Sequence, residues 1–393
     1  MAAPAVRGDR YAPGGLAARR LPLTPRPKPP CRPIGERLDR VARLAAQADD
    51  GGDEAFVRAA EACNLAALIA SDCAMPTLAR ELCWQQFNAY AAAGRPYGEI
   101  SAKLVLQPLV NLARLRIRDG DGDGGFQILE SLCDSARSSR QTAIEGQVVN
   151  MSALIQPGTT REMITQWLWA ALLTDGLRAL CRAARWIDAV RKAQTHDGIG
   201  NRLLDGRQIA IVARSAGGHR EAAAQILQQT DVSEPWERTV AACLRALIHS
   251  ADGKAPAGVA AEATSSYLEF EDPGHAMFTV CLGLTAAELT APRDGQRAII
   301  SKITSIATRS RDAYIAREVI TSPTARLVPG GALAEFGNMV RHSGLGRPLA
   351  APQAQRLVDS VRSAATVLAA GLQAGSGSPQ PTGHAVDGAR APG

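Results

Sequence analysis

The sequence predicts an all-α fold, an irregular α-solenoid of antiparallel helix pairs between disordered termini. Three observations carry this expectation. Apolar residues recur at helical spacing through most of the 393 residues, as in Leu104, Leu106, Leu109, Leu112, Leu115 and Ile117. Hydrophobic residues make up 46% of the chain but aromatics only 4%, so the core must be built of Ala, Leu, Ile and Val, a mixture that suits closely approaching helices. Turn residues then interrupt the pattern at roughly the interval of a helix pair.

Residues 1–35 are rich in Pro and Arg and culminate in Pro25-Arg26-Pro27-Lys28-Pro29-Pro30. Such a stretch builds no core of its own, and a disordered basic tail of polyproline character is expected. The helical-repeat body spans 36–372, with a sub-boundary near 150–160, and 373–393 reads as a second disordered tail of Gly, Ser, Pro and Ala. Within the body, helices are expected near 36–48, 53–72, 76–94, 98–118, 125–138, 159–184, 186–196 and 205–216. They continue near 219–229, 233–251, 256–269, 275–290, 293–309, 311–321, 331–342 and 351–372. Pro76, Gly94-Arg95-Pro96, Asp119 to Gly125, Pro157-Gly158, Gly217-Gly218, Asp252-Gly253, Pro273-Gly274 and Pro292 to Gly295 punctuate them. No alternating strand stands out, since β-branched pairs such as Ile299-Ile300 sit inside helical patterns.

The turns near Trp186, Gly218, Gly253 and Gly295 lie 32, 35 and 42 residues apart, and Ala-containing amphipathic helices such as Ala222 to Leu227 and Val259 to Ala263 follow them. Cys63 to Tyr90 reads the same way. One helix carries Leu65, Ala66, Leu68 and Ile69, the chain turns at Cys73 to Pro76, and the next carries Leu78, Ala79, Leu82, Cys83 and Phe87. In these features the chain resembles divergent tetratricopeptide proteins over roughly 36–320, with small residues at Ala67 and Ala79 where that family needs close helix approach. The family's Trp, Gly, Tyr and Pro landmarks are mostly absent. The chain is also similar to the helical sensor halves of actinobacterial regulators, without their DNA-binding helix-turn-helix. The resemblance implies a concave partner-binding surface.

Charge narrows the function classes. Of the formal net charge of +6, residues 1–36 hold seven cations against Asp9 and Glu36, which leaves a near-neutral body. A basic DNA-binding domain is therefore excluded, and nucleic acid is expected to be reached only weakly, through the N-terminal tail. Eight scattered cysteines without a CxxC pair suit a reduced, cytoplasmic protein. No secretory signal follows Arg19-Arg20, and no apolar run is long enough to span a bilayer, so no membrane partner is expected.

Two acidic motifs look chemical. Asp119-Gly-Asp121-Gly-Asp123-Gly124 to Glu130 fits a calcium-loop pattern, but Arg118, Arg114, Asn111, Ser131 and Asp134 stand where flanking apolar contacts are needed, so an acidic turn between helices is preferred. Asp49-Asp50-Gly-Gly-Asp53-Glu54 resembles the magnesium motif of all-helical terpene cyclases, yet its glycines place it in a turn, where Asp50 or Asp53 reads as a helix N-cap. The six histidines show no ligand spacing, and no GxSxG or phosphate-loop frame exists. Trp84, Tyr90, Trp167, Trp169 and Trp186 are the residues expected to contact a partner, with Trp167 and Trp169 on different sides of one helix, one in the core and one near the surface. The expected function is a protein- or peptide-binding scaffold, a regulatory adaptor accessory to a bacterial biosynthetic or signalling cluster, with no catalytic residue and no cofactor. The alternative is an all-helical divalent-metal enzyme or calcium-binding protein using Asp119, Asp121, Asp123 and Glu130.

Overall fold

The computed structural model describes residues 9–52, 54–250, 255–290 and 294–373. The expected C-terminal tail from 374 onward, the first eight residues, Asp53 and the turns at Asp252-Gly253 and Pro292 lie outside the described residues. Most of the rest is helical. The chain divides into two compact units: residues 1–31 with 177–341, and residues 32–176 with 342–393. The division falls at 176/177, not near 150–160.

The first described segment runs through a 3-10 turn (Asp9–Tyr11) and a short helix, α1 (Leu16–Arg20), into extended chain up to Cys31. This corrects the expectation of a disordered tail. Tyr11, Leu16, Ala17, Ala18, Leu21, Leu23 and Cys31 are all buried. A segment too poor in apolar residues to build a core can still be ordered by docking on one, because each buried Leu gains roughly 1.5–3 kcal/mol.

The second unit begins with α2 (Ile34–Asp49), α3 (Ala55–Asp72), α4 (Pro76–Ala92), α5 (Glu99–Arg118) and α6 (Gly122–Ser138). On α3, Ala59, Ala60, Ala62, Ala66, Ala67 and Ala70 are buried round most of the helix. Small side chains on several faces let α2 and α4 approach α3 closely, and both pack on it. Pro76 starts α4 at a position where a missing N–H costs nothing. After α6 comes a hairpin that the sequence pattern did not reveal, β1 (Gln141–Ile144) paired antiparallel with β2 (Gln147–Asn150), Gln141 opposite Asn150. Its turn places Glu145 (φ +48°) and Gly146 (φ +84°) in the left-handed region. Ile144 and Val149 are buried while Val148 is exposed, the period-2 signature compressed into four residues a strand.

Next come α7 (Met151–Leu154) and α8 (Thr159–Ala171), a π turn over Leu172–Gly176, and α9 (Leu177–Arg182). The single helix expected over 159–184 is thus broken by that turn. The first unit continues with α10 (Trp186–Thr195), α11 (Asp205–Ala216), α12 (Arg220–Gln228), α13 (Pro235–His249), α14 (Ala257–Glu269), α15 (Ala276–Leu289), α16 (Asp294–Ser310), α17 (Ala313–Ile320) and α18 (Gly330–Ser343). Each of α10 to α16 packs chiefly on a neighbour in sequence, and α17 chiefly on α15. The core helix is α15, apolar on every side, with α1, α13, α14, α16 and α17 around it. The last helix, α19 (Ala351–Gln373), returns to pack on α2, α3 and α4 of the second unit.

Candidate functional site

The docked segment 9–31 is held through both its main chain and its side chains. Gln208 on α11 is fully buried, and its carboxamide pairs with both main-chain groups of one residue. The Leu23 N–H donates to Gln208 Oε1 at 2.7 Å, while Gln208 Nε2 donates to the Leu23 carbonyl at 2.7 Å and to the Leu203 carbonyl at 2.9 Å. Arg178 on α9 donates to the Pro22 carbonyl at 2.9 Å. Trp186, at the start of α10, donates its Nε1–H to the Tyr11 carbonyl at 2.8 Å. At the far end Asp312, the N-cap of α17, accepts from the Cys31 N–H at 2.8 Å as well as from Tyr314 N–H, and the Cys31 carbonyl takes the Ala313 N–H at 3.0 Å.

The side chains of the segment are met by complementary chemistry. Arg19 donates to Glu288 at 2.5 Å, and Arg20 reaches Glu318 at 2.8 Å and Glu288 at 3.4 Å. Arg20 and Glu288 are almost wholly buried, while Arg19 and Glu318 sit at the rim, about a third exposed. Arg26 reaches Asp205 at 2.5 Å, and Thr24 donates to the same carboxylate. The Tyr11 hydroxyl meets the Ser215 hydroxyl at 2.6 Å in a buried contact; burial pushes the phenol above its usual range, although Ser215 and Arg10 oppose this. Lys28 lies 3.8 Å over the Tyr314 ring, a cation–π contact. Four of the tail cations, Arg19, Arg20, Arg26 and Lys28, are in this way turned toward carboxylates and a ring of their own unit.

The acidic turn does structural work. Asp121 is the N-cap of α6, accepting from Gly124 N–H at 2.8 Å, and pairs with Arg116 at 3.1 Å. A side chain at Gly124 would strike the Asp121 carboxylate, and one at Gly125 would strike Ile117 of α5 at 2.4 Å, so the two glycines serve the cap and the close α5–α6 approach. Asp119 reaches Arg80 at 3.7 Å, Asp123 lies in the first turn of α6 and Glu130 further along that helix. Among the described residues no group of three or more His, Cys, Asp or Glu side chains is placed to hold a metal ion. Asp49 ends α2 and Asp50 is its C-cap, which corrects the reading of Asp50 as the N-cap of the next helix; that position belongs to Glu54. Burial pushes the thiols of Cys63, Cys83 and Cys243 up to about 12, so these three hold their protons at neutral pH.

The five aromatics of the expected contact region differ in exposure and fall in both units. Tyr90 has no exposed area, is flanked edge-on by Phe56 and Tyr97 at 5.8 and 5.9 Å, and so cannot meet a partner. Trp84 is half-buried and donates to Glu145 at 3.2 Å, a carboxylate that also takes Arg80 at 3.2 Å and Arg116 at 2.9 Å. Trp167 and Trp169 are both half-buried, because Ile164 and Leu168 occupy the core-facing stripe and the indoles flank it. Trp169 overlooks an open depression of about 350 Å³ with Arg137 and Arg161. Trp186 lies in the other unit, buried, and donates to the docked segment. Gln208, Glu288, Glu318 and Asp205 were not foreseen. Their signal was faint: a Gln just before the apolar Ile209, Ile211 and Val212 of α11, and a Glu inside the apolar run of α15.

No family model, curated protein or solved structure matches this chain. Among the described residues no helix is long and apolar enough to cross a membrane.

Proposed function

We propose that this chain is a peptide-binding helical scaffold, an irregular α-solenoid acting as a regulatory adaptor, whose binding seat lies along α9, α10, α11, α15 and α17. The observation that carries the reading is the buried Gln208 carboxamide, which pairs with both main-chain groups of Leu23. Recognition of main chain by side chains supplies affinity for extended peptide with little dependence on sequence, and neighbouring sockets add selectivity. Here the sockets take Leu21 and Leu23, and the carboxylates take the arginines.

The test uses the whole chain with a protease site inserted between Lys28 and Pro29, in an exposed stretch. After folding and cleavage, a fluorescent peptide copying residues 9–28 should replace the cut segment, and fluorescence anisotropy should rise and saturate. A cut segment that stays in place while the helical signal is intact, and never exchanges, removes the proposal and makes residues 9–31 a permanent part of the core.

A further inference from the structure

We propose that the seat selects a dibasic segment of the form Arg-Arg-Leu-Pro-Leu in a partner, and that residues 9–31 are its internal competitor, keeping the seat closed until such a partner is abundant. This rests on the peptide-scaffold reading above and adds the class of ligand and its regulation.

The chemistry of the ligand follows from what the seat would lack without the segment. Glu288 is about one-twelfth exposed at its side chain and receives both Arg19 and Arg20; Asp205, equally buried, receives Arg26 and lies 3.8 Å from Arg178. A neutral peptide in the seat would cover these carboxylates again and leave them unpaired, which is costly, so the seat favours an arginine-bearing chain over a neutral one. Arginine suits it better than lysine, because two neighbouring carboxylates are met by forked guanidinium groups. Between the arginine pair and Arg26 the required features are Leu21, whose side chain is buried, and the Pro22-Leu23 carbonyls and N–H read by Arg178 and Gln208. Together these define Arg-Arg-Leu-Pro-Leu, with a further cation three residues on.

The competitor role follows from how the segment is tethered. Pro27, Lys28, Pro29 and Pro30 are exposed. Beyond Cys31 the chain runs on, so a released segment stays within reach. A tether of this length gives an effective concentration in the millimolar range, which a partner at micromolar concentration cannot match at equal intrinsic affinity. The five-residue α1 is also too short to persist as a helix away from its seat, so release returns the segment to disordered chain.

The experiment compares the uncut chain with the chain cut between residues 28 and 29 after folding, using labelled peptides in which each arginine is replaced singly. Three results support the proposal together. The cut chain binds the 9–28 peptide roughly 10²- to 10⁴-fold more tightly than the uncut chain does. Replacing the arginine equivalent to Arg20 by alanine weakens binding roughly ten- to a hundredfold, and more than replacing the one equivalent to Arg19. In Glu318→Gln, a change at the exposed rim, the Arg20 replacement matters less. If peptide exchanges but all three arginine replacements bind like the original, the scaffold reading survives and the dibasic selectivity falls. If cut and uncut chains bind equally, the competitor role falls. A dimer of the uncut chain that grows with concentration would instead make the segment of a second copy the occupant.

Discussion

Replacing Gln208 by alanine removes three hydrogen bonds, of 2.7, 2.7 and 2.9 Å, from a fully buried position. The Leu23 N–H, the Leu23 carbonyl and the Leu203 carbonyl then face a void. Each buried main-chain group left without a partner costs about 1–3 kcal/mol, so the intact arrangement would lose roughly 3–9 kcal/mol. The chain need not bear that cost, because residues 9–31 can peel away and rehydrate. The loss is therefore capped at the docking free energy of the segment, the difference between burying Leu16, Leu21 and Leu23 at roughly 1.5–3 kcal/mol each and ordering some twenty residues. The expected outcome is local release. Hydrogen-exchange protection of amides in 16–24 should fall about 10²- to 10⁴-fold, while amides of the core helices α13 and α15 keep theirs. Gln208→Glu sharpens the test. Its carboxylate would accept from the Leu23 N–H but face two carbonyl oxygens, which raises its docked pKa above the usual 4.3 or so. A raised pKa means that docking is fully present below the undocked value and is lost as pH rises through the docked one, so protection should recover on acidification. If Gln208→Ala leaves the Leu23 amide as protected as before, main-chain pairing by Gln208 does not hold the segment.

Three further outcomes are expected. Glu145→Ala should lower stability by about 1–2 kcal/mol in urea unfolding, since Arg80 and Arg116 are each over a third exposed or nearly so and partly rehydrate; Glu145→Gly should cost about 0.5–1 kcal/mol less, because φ at this position is +48°. Gly283→Ala should cost about 1–3 kcal/mol by thermal melting, and a non-additive partial recovery is expected with Tyr267→Leu, because an added Cβ would stand 2.3 Å from Tyr267 Cζ. At Glu237, burial is the largest influence and pushes the carboxyl up, but N–H donors of Glu234 and Ser233, the Ser233 hydroxyl and Arg202 outweigh it and bring the group below its ordinary range. Its contribution is present above pH about 4.3 and lost as pH falls through the lowered value, so the roughly 1.5–3 kcal/mol gap between the native chain and Glu237→Gln should close on acidification.

Helix placement was legible because the signal is local. The alanines and leucines of α3, the proline opening α4 and the apolar stripe of α5 each state their own structure within one or two turns. The hairpin was not legible: four residues a strand give two inward positions each, Ile144 and Val149 being the buried ones, and the Glu145-Gly146 turn lacks the Asn or Asp that usually announces it. Arg114 and Arg118, which flank the acidic turn where a calcium loop needs apolar contacts, turn to Asp175 and Asp72 in the fold. Aromatic type marks burial as well as binding, and Tyr90 is wholly core.

The docking of residues 9–31 was hidden for a different reason. Composition averaged over residues 1–35 describes what that stretch can do alone, and alone it folds nothing. Tyr11, Leu16, Leu21 and Leu23 are too sparse to register as periodic, yet each is buried once a second surface supplies the rest of the core. Charge averaging failed in the same way. A +5 segment beside a near-neutral body looked like a solvated basic tail, whereas Arg19, Arg20 and Arg26 answer Glu288, Glu318 and Asp205 one by one. Net charge counts pairs as zero and so conceals them. What distinguishes a docked segment from a solvated one is a set of buried acceptors elsewhere in the chain, and the single buried Gln208 that reads main chain on both sides is where that distinction is most open to experiment.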